Sequence, residues 1–236
     1  MVSGVTAVVP AGGRGVRMGS DVPKQFLSLG GIPLLIHALR VFDAATGISE
    51  IIVVVPEEDR DHCRHEVLPP YHLKKLTQVV GGGPRRQDSV YNGFRAADPH
   101  SSIILVHDAV RPFLTVSLVN SVVESAEKHG AAIVAIPMRD TVKRVTSNQI
   151  IEKTLDREGL WLAQTPQAFR KALLEEAHHR GQSTGCEATD DAFLVEQLGH
   201  PVAIVTGSSD NIKITRPEDL LMGEAILNAK MGRSCP

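Results

Sequence analysis

The chain has 236 residues, 42% of them hydrophobic, 22% charged and 4% aromatic, with a formal net charge of −2. A near-neutral chain poor in aromatic residues has neither the basic field nor the stacking platforms of a nucleic-acid binder. At this length a compact chain buries roughly 70–75% of its unfolded surface, so no disulfide or metal staple is needed.

In chain order, short β-branched runs alternate with longer amphipathic ones. The runs at 5–9 (VTAVV), 51–55 (IIVVV), 77–80 (TQVV), 103–107 (IILVH), 131–136 (AAIVAI) and 202–206 (VAIVT) read as buried strands. Near-continuous apolar runs are what a parallel sheet covered on both faces requires. Helices are expected at 33–45, 85–97, 116–130 and 217–229, the third ending at Gly130 as a C-cap. This βαβ rhythm predicts an α/β, Rossmann-like, doubly wound and mostly parallel sheet. One segment departs from it. Residues 138–161 carry β-branched and charged residues around a turn signal at Ser147-Asn148, and predict a β-hairpin with arms near 141–146 and 149–155. With too few apolar residues for core, it reads as an exposed arm of about 138–156, inserted into one domain covering 1–236.

Cys63, Cys186 and Cys235 are few, odd in number and far apart, which fits a reducing compartment and neither a disulfide framework nor a zinc spacing. The N-terminus has no secretory pattern, and no run nears the ~18–20 apolar residues that span a bilayer. The expectation is a cytoplasmic protein with no membrane partner.

The stretch AVVPAGGRGVRMGSDVPKQF (7–26) resembles a phosphate loop. A P-loop needs a Lys directly after its last glycine, and here Lys24 follows Pro23. A dinucleotide fingerprint needs a third glycine where Met18 stands. What remains is a strand followed by Pro10, Ala11, Gly12, Gly13 and Gly15, then Arg17 and Lys24. Glycines let backbone amides turn toward an anion, Arg17 offers a planar fork and Lys24 a point charge. Two cations beside such a nest suit a triphosphate better than a monophosphate.

On this loop and PKQ the sequence resembles nucleotide-sugar-type nucleotidyltransferases. The pieces VHDAVRP (106–112), RDTVKR (139–144), LDREGLW (155–161), TPQAF (165–169), TDDA (189–192), DNIKIT and RPEDL (210–220) narrow the resemblance to the 2-C-methyl-D-erythritol 4-phosphate cytidylyltransferase family. They run in order over nearly the whole chain. The resemblance implies transfer of a cytidylyl group from CTP to 2-C-methyl-D-erythritol 4-phosphate in the non-mevalonate isoprenoid pathway, with Mg²⁺ as cofactor and a homodimer formed through the arm. Some members carry a fused cyclase, which a chain ending at Pro236 is expected to lack. The same chemistry on ribitol 5-phosphate is the nearest alternative, and a nucleotide-binding module without turnover the other.

Residue by residue, the resemblance implies catalytic roles for Arg17, Lys24, Arg157 and Lys213. It puts the nucleotide against Pro10, Ala11, Gly12, Gly13, Gly15, Arg17, Lys24, Gly82, Gly83, Ser89, Asp108, Ala109 and Lys213. It puts the acceptor against Asp108, Arg111, Thr141, Arg157, Thr165, Thr189, Lys213 and Thr215, with Thr141 and Arg157 reaching across the dimer. Asp108 follows the strand 103–107, at the carboxyl edge where open α/β sheets bind ligands, and a carboxylate there can hold Mg²⁺ against a triphosphate. Arg111 can meet a phosphate or orient Asp108, and Asp210 is a second candidate carboxylate. Pro84 stands where relatives can carry an acidic residue, and it brings no N–H to the base. On the residues alone, Ser89 and Arg86 are first-turn helix chemistry, capping and solvation. Thr189 reads as an N-cap, 215–218 as a capping box, and His107 as a packed strand-end histidine.

Overall fold

The computed structural model describes residues 4–13 and 22–233. Gly15 and Arg17 of the N-terminal loop, and Cys235, lie outside them.

The chain opens with β1 (Gly4–Pro10), followed by a short 3₁₀ turn (Lys24–Phe26) and the small pair β2 (Ser28–Leu29) and β3 (Ile32–Pro33). It continues through α1 (Leu34–Ala44), β4 (Glu50–Val55), the single turn α2 (Arg60–His62), β5 (Leu76–Gly81), α3 (Arg86–Arg95) and β6 (Ser101–Val106). Then come α4 (Val116–His129), β7 (Ala131–Pro137), the hairpin β8 (Val142–Val145) and β9 (Ile151–Leu155), and β10 (Trp161–Arg170). The remainder is α5 (Lys171–Thr184), α6 (Asp191–Glu196), β11 (Ala203–Thr206) and α7 (Pro217–Arg233).

Seven strands make one sheet in the order β11-β7-β10-β6-β1-β4-β5. All neighbours pair parallel except β10, which runs antiparallel to both β6 and β7. The expected mostly parallel α/β sheet is therefore present, and each of the six expected strands lies in it. Residues alternate between two buried layers. Val5, Ala7 and Val9 of β1, with Ile51, Val53 and Val55 of β4, pack under α1 and α4. Val8, Ile52 and Val54 pack with Val90 and Phe94 of α3 and Leu174 of α5 on the other face. Both faces being covered is why these strands read as continuous apolar runs. Four helices stand where the periodicity places them. Gly130 closes α4 at φ 89°, a conformation a side chain resists.

β8 and β9 pair antiparallel from Val142↔Leu155 to Val145↔Ile151, and this hairpin stands apart from the main sheet. It carries exposed Val145, Ile150 and Ile151, and the adjoining β10 exposes Trp161 and Leu162.

Strand order reverses between β1 and β6: from β1 the chain goes next to β4 on one side and later to β6 on the other. A crevice opens beyond the carboxyl ends at such a switch point.

Candidate active site

Two cavities meet at that crevice. The first, about 270 Å³, is lined by residues 10–13, by Lys24 and Gln25, by residues 83–86 and Ser89, and by Asp108, Ala109 and Lys213. The second, about 230 Å³, is lined by Arg111, Gln164, Thr165, Thr189 and Asp190. Arg86, Asp108 and Lys213 line both.

Local structure explains how these residues arrive. Ala11 N–H donates to the Val54 carbonyl at 2.7 Å, which keeps the chain in register with β4 as it leaves β1. Lys24 opens the 3₁₀ turn directly after Pro23, whose fixed φ starts it. Ser89 is buried. Its Oγ accepts from Gly83 N–H at 3.1 Å and donates to the Arg85 carbonyl at 3.2 Å, so it holds the glycine loop against the start of α3. Gly82 anchors the same loop to the Val55 carbonyl at 2.7 Å. On the opposite wall, Ile214 N–H donates to the Val110 carbonyl at 2.9 Å, joining the segment that carries Lys213 to the one that carries Asp108.

Asp108 is the electrostatic centre. Its Oδ2 lies 2.7 Å from Lys213 Nζ and 3.9 Å from Arg111 Nε, and its Oδ1 lies 3.2 Å from Arg86 Nε. Burial works against its charge, but Arg86 and Lys213 outweigh burial and hold the carboxyl well below the usual carboxylate range. Arg86 also donates from Nη1 to Asp191 Oδ2 at 2.8 Å, and Asp191 is fully buried. Arg111 is held by donation to the Asn211 carbonyl at 2.7 Å.

Behind this cluster, buried His107 contacts Thr165 Oγ1 through Nδ1 at 3.0 Å and the Arg111 carbonyl through Nε2 at 3.1 Å. Asp108 N–H already donates to Thr165 Oγ1 at 3.1 Å. The hydroxyl proton therefore points at Nδ1, and Nε2 carries the ring proton. Burial lowers the His107 pKa to about 4. It is the packed strand-end histidine expected, with no free nitrogen for proton transfer.

Of the anticipated site residues, Pro10, Ala11, Gly12, Gly13, Lys24, Gly83, Ser89, Asp108, Ala109 and Lys213 line the first cavity, and Arg111, Thr165 and Thr189 the second. Gly82 and Thr215 line neither cavity. Thr141 and Arg157 line neither cavity. They sit exposed on and beside the arm, where Arg157 Nη1 donates to the Arg139 carbonyl. Two capping expectations need correction. The N-cap of α6 is Asp190, whose carboxylate accepts from Phe193 N–H at 3.0 Å, so Thr189 lies one residue outside it. Ahead of α7, Thr215 donates from both its N–H and its hydroxyl to Asp219 Oδ2, at 2.8 and 2.9 Å. Asp219 thus does what Glu218 was expected to do, because its shorter side chain meets the turn one residue later. Arg86 is corrected as well: it is a doubly paired, half-buried cation, where solvation was expected.

The donor set does not fit a protein-held magnesium ion. Asp108 is the one carboxylate lining the first cavity among the described residues, and both its oxygens face cations. Asp210 lies 3.9 Å from Lys230 Nζ and lines neither cavity. Magnesium is held by one or two carboxylates together with substrate phosphates, and the carboxylate available here is already neutralised.

A mostly parallel sheet whose switch point opens on two adjoining cavities sharing Arg86, Asp108 and Lys213 is the architecture of a nucleotide-binding α/β enzyme. A sequence profile of 2-C-methyl-D-erythritol 4-phosphate cytidylyltransferase matches residues 5–229. The protein of that name from Pelotomaculum thermopropionicum is 46% identical over 229 residues, covering 97% of this chain and 96% of its own. The crystal structure of 4-diphosphocytidyl-2C-methyl-D-erythritol synthase from Anaerococcus prevotii superposes with a TM-score of 0.84 at 31% identity, over 96% of this chain and 97% of that one. The crystal structure of the cytidylyltransferase from Thermus thermophilus gives 0.79 at 37% identity, over 95% and 99%. The chain belongs to the 2-C-methyl-D-erythritol 4-phosphate cytidylyltransferase family, enzymes of isoprenoid biosynthesis.

Proposed function

We propose that the first cavity takes CTP and the second the phosphate end of 2-C-methyl-D-erythritol 4-phosphate. The observation that carries this reading is the wall they share: Arg86, Asp108 and Lys213 line both. A reaction between two phosphates needs the acceptor oxygen and the α-phosphorus brought together over fixed positive charge. An acceptor phosphate oxygen attacks the α-phosphorus in line. The new P–O bond forms as the bond to the β-phosphate bridging oxygen breaks, and pyrophosphate leaves with that oxygen. The product is 4-diphosphocytidyl-2-C-methyl-D-erythritol. The attacking group is already an anion, so no general base is called for, in keeping with a His107 whose ring is fully engaged. Lys24, Lys213 and Arg17 stabilise the charge that builds on the transferring group. Magnesium is assigned to the nucleotide, which brings it in as its complex.

The arm completes the site from a second copy. Thr141 and Arg157 line neither cavity of their own chain, and the apolar side chains of Val145, Ile150, Ile151, Trp161 and Leu162 are exposed beside them. A homodimer that buries this surface carries Arg157 to the partner's acceptor pocket. Among the described residues no helix is long and apolar enough to cross a membrane, and cytoplasmic residence is part of the same proposal.

The test is pyrophosphate release over a matrix of nucleotides and acceptors. CTP with methylerythritol phosphate is expected to exceed both UTP with the same acceptor and CTP with ribitol 5-phosphate by at least about 10²-fold. Equal rates with the two acceptors overturn the substrate assignment and leave the reaction class standing.

A further inference from the structure

Lys213 rests on Asp108 at 2.7 Å. A lysine that turns its charge toward a phosphate gives less of it to that carboxylate, and a buried carboxylate left uncompensated is costly. Arg111 is too far to take over alone: its Nε is 3.9 Å from Oδ2, and Nη1 is already given to the Asn211 carbonyl. Arg86 is the cation built to remain. It is the first residue of α3, its Nε faces Asp108 at 3.2 Å, and its Nη1 is tied at 2.8 Å to Asp191. Asp191 is fully buried at the first turn of α6 and lines neither cavity, so arriving substrates leave it untouched. His178 Nε2 lies 3.5 Å behind its other oxygen. The result is a row of alternating charges, Asp191–Arg86–Asp108–Lys213, anchored in the protein at one end and open to the cavities at the other.

We infer that Arg86, held from behind by Asp191, is a positioning residue that keeps Asp108 fixed and compensated while Lys213 moves from that carboxylate to the acceptor phosphate. The inference rests on the reaction proposed above. It assigns Arg86, which lines both cavities, an action on the reacting groups through Asp108 and Lys213. Three consequences follow from that route. Loss of Arg86 leaves Lys213 as the main partner of Asp108, so turnover falls and the acceptor binds poorly while CTP binding holds. Lysine restores the charge without the fork that reaches both carboxylates, so it rescues in part. Because Arg86 acts through Lys213, removing it costs little once Lys213 is gone.

The experiment measures kcat and both KM values for the wild-type dimer, Arg86→Met, Arg86→Lys, Asp191→Asn, Lys213→Met and the double variant Arg86→Met/Lys213→Met. Thermal unfolding of each confirms the fold. Arg86→Met is expected to lose about 10²-fold in kcat, the scale for a misplaced reacting group. Its KM for methylerythritol phosphate should rise and its KM for CTP should stay within about threefold, a specificity a general loss of structure does not give. Arg86→Lys should recover about tenfold of the lost rate. The double variant should fall within about threefold of Lys213→Met alone. Should Arg86→Met fail to fold, Asp191→Asn, which leaves both cavity linings intact, is expected to show the same pattern at smaller amplitude. Multiplicative losses in the double variant, or a CTP KM that moves more than the acceptor KM, overturn the inference while the reaction stands. A wild-type enzyme that releases no pyrophosphate from this substrate pair overturns both.

Discussion

Lys24 and Gly13 work as a pair. A Cβ added at Gly13 would fall onto Lys24 Cε and come 2.7 Å from its Nζ, so the lysine lies across the glycine and holds its position only because no side chain stands there. Lys24→Ala is expected to lose on the order of 10²–10³ in kcat, the range for removing one transition-state donor. Gly13→Ala displaces the end of a flexible chain and leaves the core intact. It should keep its unfolding temperature and lose up to about 10²-fold in kcat through misplacement of the ammonium. Steady-state kinetics beside thermal unfolding decides this, and a Gly13→Ala enzyme with normal turnover removes the link between the two residues.

His107 makes a different residue-scale claim, about stability. Burial lowers its pKa from 6.5 to about 4, so the folded ring is neutral where the unfolded one begins to charge. Above pH 6.5 the two states bind the proton alike. As pH falls from there toward 4, the unfolded chain takes up a proton that the folded chain refuses, and stability drops through that window by about 3 kcal/mol. Urea unfolding at pH 7 and pH 4.5 is expected to show this loss in the wild type and a flatter dependence in His107→Gln. A wild-type midpoint unchanged between the two pH values counts against it. The same residue scale is where the sequence was least legible. Asp108, Lys24 and Lys213 stand out as charged residues at motif positions. The role of Arg86 depends on Asp191, 105 residues away, and no local spacing announces such a pair.

At the scale of elements, legibility follows burial. Strands covered on both faces are apolar throughout, so β1, β4, β6 and β7 can be read directly; the edge strands β5 and β11 are partly exposed but keep enough β-branched residues to be read as well. β10 cannot. Its buried stretch includes Gln164, Thr165 and Gln167, polar residues paired far along the chain. Gln167 Nε2 donates to Asp190 at 2.7 Å and its Oε1 accepts from Ala192 N–H, while Gln164 meets the Ser208 carbonyl and the Asn211 amide. Each hydrogen bond makes burial tolerable and removes the apolar signal that would reveal the strand. This one element reverses the sheet direction, and it is also the element that delivers Thr165 beneath Asp108. α5 is hidden for a related reason, while α6 is legible only as the short helical stretch after Thr189. Both bury few residues, Leu174, Ala177 and His178 in α5 and Asp191, Ala192, Leu194 and Val195 in α6, among polar residues that blur the helical period. The hairpin, by contrast, was visible because it is not core: alternation without enough apolar residues marks an exposed ribbon.

The whole molecule matters because the proposed site is divided between copies. Arg157 and Thr141 belong to the arm, Lys213 and Asp108 to the sheet edge, and within one chain they line no common cavity. If the arm serves the partner, an Arg157→Ala chain retains a sound sheet-edge half, and a Lys213→Ala chain retains a sound arm. Each homodimer is crippled at both sites. After mixing, denaturing and refolding, random reassortment gives half mixed dimers by symmetry, and each has one intact site and one doubly damaged. The mixture is therefore expected to regain about a quarter of wild-type activity, set by that reassortment. It should do so with the wild-type KM for both substrates, because the surviving sites are complete. Activity that stays at the average of the two parents places Arg157 and Lys213 in the same chain's site, and the arm then needs another explanation for its exposed Ile150, Ile151 and Trp161.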